Sequence, residues 1–191
     1  MSRRRVQHDI DETNLWYAEG IHIPTRTLRL MGGIDEVMAE RVINGLHVLS
    51  HLSDDPIEVL MDTGGGGESE GLAIYDALVR LKSPLTITVV GNAWSMGAII
   101  LQAAKQRLLT RNASLMIHTG EKDYAGQGEN VRREMLFDKT RDEVCDRILL
   151  EKMQRVDPKL TLGKLRDIML VDTYYFADEA IRVGLADGVV E

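Results

Sequence analysis

Apolar and polar positions along the chain alternate between two periods. Residues 26–30 (RTLRL) alternate with period two and read as a short strand. Residues 35–51 then place Val37, Met38, Val42, Leu46 and Leu49 at helical spacing. Pro56 precedes a second strand at 57–61 (IEVLM), which ends at Asp62 and runs into four consecutive glycines, Gly64 to Gly67. A helix pattern covers 68–82, with Leu72, Tyr75, Leu78 and Val79 on one side, and Ser83-Pro84 break it. Residues 85–90 (LTITVV) are β-branched and read as a buried strand. A turn at 91–97 (GNAWSMG) leads into a small-residue helix over 98–105, and 114–118 (SLMIH) form another strand, closed by Thr119-Gly120. Residues 124–128 (YAGQG) read as a flexible loop. The longest helical run, 129–155, has Val131, Met135, Val144, Ile148, Leu149 and Met153 as its apolar set and stops at Asp157-Pro158. Helices over about 161–170 and 177–183 complete the chain, before Gly184 and a short tail. Strands alternating with helices predict an α/β domain.

Length and composition narrow this picture. The 191 residues suit one domain rather than two. Twenty-three Lys and Arg against 30 Asp and Glu give a net charge of −7, so there is no global basic field for nucleic acid. The one basic cluster, Arg3-Arg4-Arg5, reads as a solvated tail. Cys145 is the single cysteine, which excludes an intrachain disulfide and a Cys-rich metal site and fits a reducing, cytoplasmic setting. No apolar run approaches the ~20 residues needed to cross a bilayer, and residues 1–14 lack the apolar stretch of a secretory signal. The 17 glycines are clustered rather than spread, and the clusters follow strand ends. In α/β folds, functional groups collect at the carboxyl ends of strands, so the segments 62–67, 91–97 and 118–120 are expected to converge on one site.

Three side chains there could carry chemistry. Ser95 sits in a strand-to-helix turn, where a hydroxyl can be exposed as a nucleophile. It could equally be an N-cap, the commoner role for a serine before a helix. His118 ends a strand, and an imidazole with an ordinary pKa near ~6.5 suits a general base, although a strand-end histidine can also be merely solvated. His8, His22, His47 and His51 lack that placement and are taken as structural. An orienting acid could be Asp172, Asp178 or Asp187. Asp172, between two apolar runs, is the best of the three, because a buried or half-buried carboxylate needs a partner; Asp178 opens the last helix and Asp187 belongs to a turn. The glycine run has neither the Lys-Ser/Thr of a P-loop nor a Gly-x-Gly-x-x-Gly register. Bare backbone N–H groups after a strand suit an oxyanion instead. Asp62-Thr63-Gly64 has the tripeptide of retroviral-type aspartic proteases, but the glycine run and helix that follow speak against that fold.

Taken in order, the glycine turn, Gly-Leu-Ala-Ile-Tyr-Asp (71–76), Gly-Asn-Ala-Trp-Ser-Met-Gly (91–97), Leu-Met-Ile-His (115–118) and Ala-Asp-Glu-Ala-Ile-Arg-Val-Gly-Leu-Ala-Asp (177–187) resemble the proteolytic subunit of the Clp protease, the ClpP family. The resemblance covers about residues 26–190. It implies a crotonase-like βαβ superhelix with a long handle helix over about 129–155, as one domain over 26–191 behind a divergent N-terminal segment, 1–25. It makes Ser95 the nucleophile, His118 the base and Asp172 the orienting acid of a serine endopeptidase. Gly66 and Met96 become the oxyanion hole, and the loop with Gly126, Gln127 and Gly128 lays a substrate strand across the site. No metal or other cofactor is implied in this subunit. ATP would be used by a partner AAA+ Clp unfoldase. The implied assembly is a homo-oligomer of stacked heptameric rings acting on unfolded polypeptides or short peptides.

The sequence also departs from that family. Its usual Asn-Ser-Pro-Gly-Gly turn is Asp62-Thr63-Gly64-Gly65-Gly66 here, with Gly67 added. Losing the proline raises the entropy of the turn and predicts a less preorganised hole. The usual Gln-Pro after the histidine is Thr119-Gly120. Aromatic positions of the unfoldase-docking pocket correspond to Glu58 and Arg80, and residues 1–24 do not match the family's axial gate. The reading is therefore a divergent member, phage-encoded or a paralogue, with a different or absent ATPase. Three other readings stand behind it: a non-catalytic ring subunit, a crotonase-like acyl-CoA enzyme, and a signal-peptide-peptidase-like enzyme, which would pair serine with lysine.

Overall fold

The computed structural model describes residues 12–190, with side chains from residue 15. The elements run α1 (Glu12–Glu19), β1 (Ile21–His22), β2 (Thr27–Met31), α2 (Glu36–Leu52), β3 (Ile57–Thr63), α3 (Glu68–Val79), β4 (Leu85–Trp94), α4 (Met96–Leu101), β5 (Gln106–Thr110), β6 (Ser114–Ile117), α5 (Gly128–Met153), α6 (Leu162–Ile168), β7 (Thr173–Phe176), α7 (Ala177–Arg182) and β8 (Gly188–Val190). This is the α/β organisation that the periodicity predicts. Of the N-terminal segment expected to diverge, 1–25, residues 1–11 lie outside the described residues. Of the rest, α1 leads into β1, which pairs antiparallel with β2.

The sheet order is β1-β2-β3-β4-β5-β8, and the central strands β2, β3 and β4 run parallel. Ile57, Val59 and Met61 on β3 and Leu85, Ile87 and Val89 on β4 are buried, as is most of the apolar stripe of α2. Asp35 starts that helix: its carboxylate accepts from the Met38 N–H (2.8 Å) and satisfies an otherwise orphaned donor. Val37 and Val79 are exposed rather than core-facing. The buried stripe of α3 is Gly71, Ile74 and Leu78.

β4 is ten residues long, and its two halves have different neighbours. Thr86–Val89 pair with β5, while Asn92–Trp94 pair with β6. The fork exists because β5 ends at Thr110, after which a turn delivers β6 alongside the far end of β4. β6 in turn pairs antiparallel with β7, in the register Ser114↔Phe176 to Ile117↔Thr173. That register sets the site.

At the opposite side, Arg107 clasps the C-terminal segment. Its side chain is 6% exposed. It donates from Nε to Asp187 Oδ2 (2.9 Å), from Nη2 to Asp187 Oδ1, and from Nη1 to Gln102 Oε1 (2.6 Å) and the Gly184 carbonyl (2.8 Å). Asp187 is thus a structural carboxylate that fixes β8 to β5. Burial alone would raise its pKa; the hydrogen bonds and charge of Arg107 outweigh that and lower it.

α5 keeps the predicted length but not the predicted core face. Only Leu149 and Met153 of its apolar set are buried, whereas Met135, Leu136 and Phe137 are 50–67% exposed. It packs on the domain from Asp138 onward.

Candidate active site

Strand register brings the three candidates together. Ser95 follows Trp94, the last residue of β4, and Trp94 pairs with Met116 on β6. His118 is the next residue after β6, and Asp172 directly precedes β7. Continuing the β6–β7 register by one position sets His118 opposite Asp172. His118 Nε2 lies 2.8 Å from Ser95 Oγ, and its Nδ1 lies 3.1 Å from Asp172 Oδ1. The Thr119 N–H donates to the Met169 carbonyl (2.7 Å), pinning the chain after His118 to the end of α6.

Ser95 has the turn geometry of an exposed hydroxyl. Its φ of 53° and ψ of −120° are a strained conformation for a residue with a Cβ, costing on the order of 1–3 kcal/mol. The strain is held by the backbone: its N–H donates to Met116 (2.8 Å) and its carbonyl accepts from Ala98 (2.9 Å). The side chain makes no capping bond, which removes the N-cap alternative.

The glycine turn is pressed against this residue. Gly65 has φ +96°, and a Cβ there would stand 2.7 Å from the Ser95 Cβ, so only glycine fits. Gly66, at φ +149°, forms an isolated parallel bridge with Ile34. That bridge uses the Gly65 carbonyl (3.0 Å from Ile34 N) and the Gly67 N–H (2.8 Å from Ile34 O). A parallel bridge leaves the central residue's own N–H pointing to the other side. Among the described residues the Gly66 N–H has no partner. Met96 opens α4, so its N–H is one of that helix's unpaired first donors.

Proline's absence from the turn is offset by Thr63. Its buried Oγ1 accepts from the Gly65 N–H (3.0 Å), so the turn is tied from below by Thr63 and from the side by Ile34. Asp62, the aspartate of the Asp-Thr-Gly tripeptide, is committed elsewhere: its Oδ1 accepts from the Asn92 N–H (2.8 Å) across a register shift between β3 and β4.

Asp172 is more exposed than its apolar flanks suggest, at 53% for the side chain against 21% for His118. Its second oxygen accepts from the Tyr174 hydroxyl (3.2 Å), and Tyr174 packs edge-on against Trp94 (5.4 Å between ring centroids). Desolvation and then the Asp172 charge raise the Tyr174 pKa, which keeps the phenol a donor. Tyr174 was missed from sequence. The signal was a tyrosine two residues after the aspartate, the same-face spacing of a strand.

A cleft of about 600 Å³ opens beside Ser95 and His118, with Gly66 and Met96 on its wall. It reaches α5 at Asp138, Asp142, Cys145 and Leu149. Gly126, Gln127 and Gly128 do not line it. Gly128 is the first residue of α5, and the Gln127 carbonyl accepts from the Val131 N–H. The segment that does line the cleft is residues 119–123, nearer His118.

The cleft wall is charged. Lys122 Nζ reaches Asp142 (2.6 Å) and Glu68 (3.5 Å). Burial pulls its pKa down, but Asp142, Glu68 and Asp138 together raise it, so it stays cationic. Burial first, then Glu68, push the Cys145 thiol up to about 12, so it stays protonated. Of the two positions expected at an unfoldase-docking pocket, Glu58 accepts from Thr88 Oγ1 (2.8 Å) on the sheet, and Arg80 caps the exposed end of α3.

An α/β sheet whose strand ends hold a hydroxyl, an imidazole and a carboxylate in hydrogen-bonded series has the layout of acyl-transfer enzymes. The sequence comparisons then give the family. Residues 18–191 match the family model described as Clp protease, and the chain belongs to that family. It is 32% identical over 174 residues to the ATP-dependent Clp protease proteolytic subunit 2 of Pseudomonas aeruginosa, covering 88% of this chain and 82% of the relative. It is 31% identical over 164 residues to the ATP-dependent Clp protease proteolytic subunit of Deinococcus radiodurans, covering 83% and 76%. The α/β sheet and long α5 agree with that membership. Among the described residues no helix is long and apolar enough to cross a membrane.

Proposed function

We propose that this chain is a serine endopeptidase that cleaves unfolded polypeptides or short peptides through Ser95, His118 and Asp172. The observation that carries the reading is the series of 2.8 and 3.1 Å contacts from hydroxyl to imidazole to carboxylate. With Nδ1–H donating to Asp172, Nε2 is free to accept the Ser95 proton as Oγ attacks a peptide carbonyl. The carbonyl oxygen gains charge and takes hydrogen bonds from the N–H groups of Gly66 and Met96, at the start of α4. The imidazolium gives its proton to the leaving amine, and the acyl group stays on Ser95. Water, deprotonated by His118, then releases the second product. Tyr174 and Asp172 hold the ring in place. No metal or other cofactor takes part in these steps.

The working form is a homo-oligomer, with two heptameric rings stacked through α5. Exposed Met135, Leu136 and Phe137 on its first half support a role in joining copies. An AAA+ unfoldase, if one docks, meets the charged side chains Glu58 and Arg80 rather than an aromatic pocket and so differs from the usual partner. Fluorophosphonate labelling with peptide mapping tests the nucleophile. The label is expected on Ser95 and lost in His118→Ala; labelling of any other residue, or of none, refutes the assignment.

A further inference from the structure

We propose that the cleft beside Ser95 selects substrates that place a lysine or arginine side chain in it, on the residue whose carbonyl is attacked. This rests on the peptidase reading above.

The cleft is lined by both apolar and charged side chains. Met96, Ile99, Ile117, Leu149 and Met169 line it together with Ser95 and His118, an apolar lining that suits an aliphatic stem. The same lining holds a linked cluster of Glu68, Asp138 and Asp142 with Lys122 and Arg141. Three carboxylates there face two cations, so the cluster carries one uncompensated negative charge. Over the whole lining, six carboxylates stand against four Lys and Arg side chains.

The geometry assigns that deficit to Glu68. Lys122 is bound closely to Asp142 (2.6 Å) and Arg141 to Asp138 (2.9 Å). Each reaches Glu68 Oε2 only as its longer contact, 3.5 and 3.4 Å. Glu68 Oε1 faces the Cys145 thiol at 3.7 Å, a weak donor. A carboxylate that is 19% exposed and served by long or weak contacts is short of a partner. The raised Cys145 pKa has a matching cause, because after burial its largest contributor is the Glu68 charge.

Position completes the inference. Glu68 stands two residues after Gly66, so their Cα atoms are at most about 7.6 Å apart. A substrate residue whose carbonyl sits on the Gly66 N–H therefore starts close to Glu68. A lysine or arginine stem lies along the apolar lining and its cation meets Glu68 Oε1, which only the weak thiol donor serves. Leucine covers the apolar lining but leaves Glu68 with only its long and weak contacts, and an acidic side chain is repelled.

The test uses a set of fluorogenic peptides differing only in the residue before the scissile bond: Lys, Arg, Leu or Asp. The expected kcat/KM for Lys and Arg exceeds that for Leu by about tenfold, the yield of one hydrogen bond to a charged group, with Asp slowest. Glu68→Gln should lower the Lys-to-Leu ratio and Lys122→Met should raise it, and a folding defect cannot move one ratio in both directions. Cleavage that depends on Ser95 but favours Leu over Lys overturns this proposal and leaves the peptidase reading standing. Cleavage of none of the peptides by wild type overturns both.

Discussion

Thr63 takes over the restraint that proline would give the glycine turn, and Thr63→Val isolates that role. The substitution keeps the shape of a side chain that is 2% exposed and removes only the hydroxyl. The Gly65 N–H, bonded to that hydroxyl at 3.0 Å in a buried setting, then has no acceptor. A buried donor left unsatisfied costs about 1–3 kcal/mol. For a domain of this size, about 2 kcal/mol lowers Tm by roughly 4–8 °C. The kinetic effect comes from the neighbouring residue: Gly66 follows in a turn that keeps only the Ile34 bridge as a tie. Weakening one oxyanion donor without removing it should lower kcat by less than the ~100-fold of outright loss, so about tenfold is expected. KM for a short peptide should change little. Thermal denaturation and steady-state peptide hydrolysis on the same preparation give both numbers. Unchanged Tm together with unchanged kcat would refute the claim that Thr63 preorganises this turn.

Other consequences follow from the same contacts. Asp187→Ala strands Arg107 in the interior and should cost about 3 kcal/mol, the low end for a broken buried pair because the Asp187 side chain is 38% exposed. Since its folded pKa is lowered, the Asp187 contribution is present above the unfolded carboxylate range and is lost as pH falls through the folded value. Acid denaturation of wild type should therefore be steeper below about pH 4 than that of Asp187→Asn. Tyr174→Phe removes one hydrogen bond to Asp172 and should lower kcat about threefold to fivefold with KM unchanged; an unaltered kcat would show that Asp172 needs no second partner. Cys145, its thiol held at about 12, should resist a disulfide reagent at pH 8 in the native protein and react quickly in denaturant.

Local pattern made some of this legible and left the rest unreadable. α2 and β3 carry strong periods and lie within two residues of their expected bounds, whereas β4 runs on to Trp94 through what reads as a turn, because Asn92–Trp94 pair with β6. β5 and β8 are five and three residues long, too short to show a period against their surroundings. β7 reads as an aromatic run because its outward residues, Tyr174 and Phe176, are apolar and exposed. The serine and histidine stood out because turn chemistry and strand ends mark them locally. The aspartate's place depended on antiparallel pairing of β6 and β7, a contact between residues more than 50 apart that no local signal encodes. The same limit explains α5, whose apolar residues follow a helical period although Met135 and Val144 among them are exposed.

The central claim is that Ser95 is the nucleophile of a peptidase that works in an assembled ring. Native mass measurement of wild type and Ser95→Ala, beside cleavage of a fluorogenic peptide by the same samples, tests it most directly. The account predicts the same ring mass for both proteins and cleavage by wild type alone. A monomer without activity, or a Ser95→Ala ring that still cleaves the peptide, would contradict it.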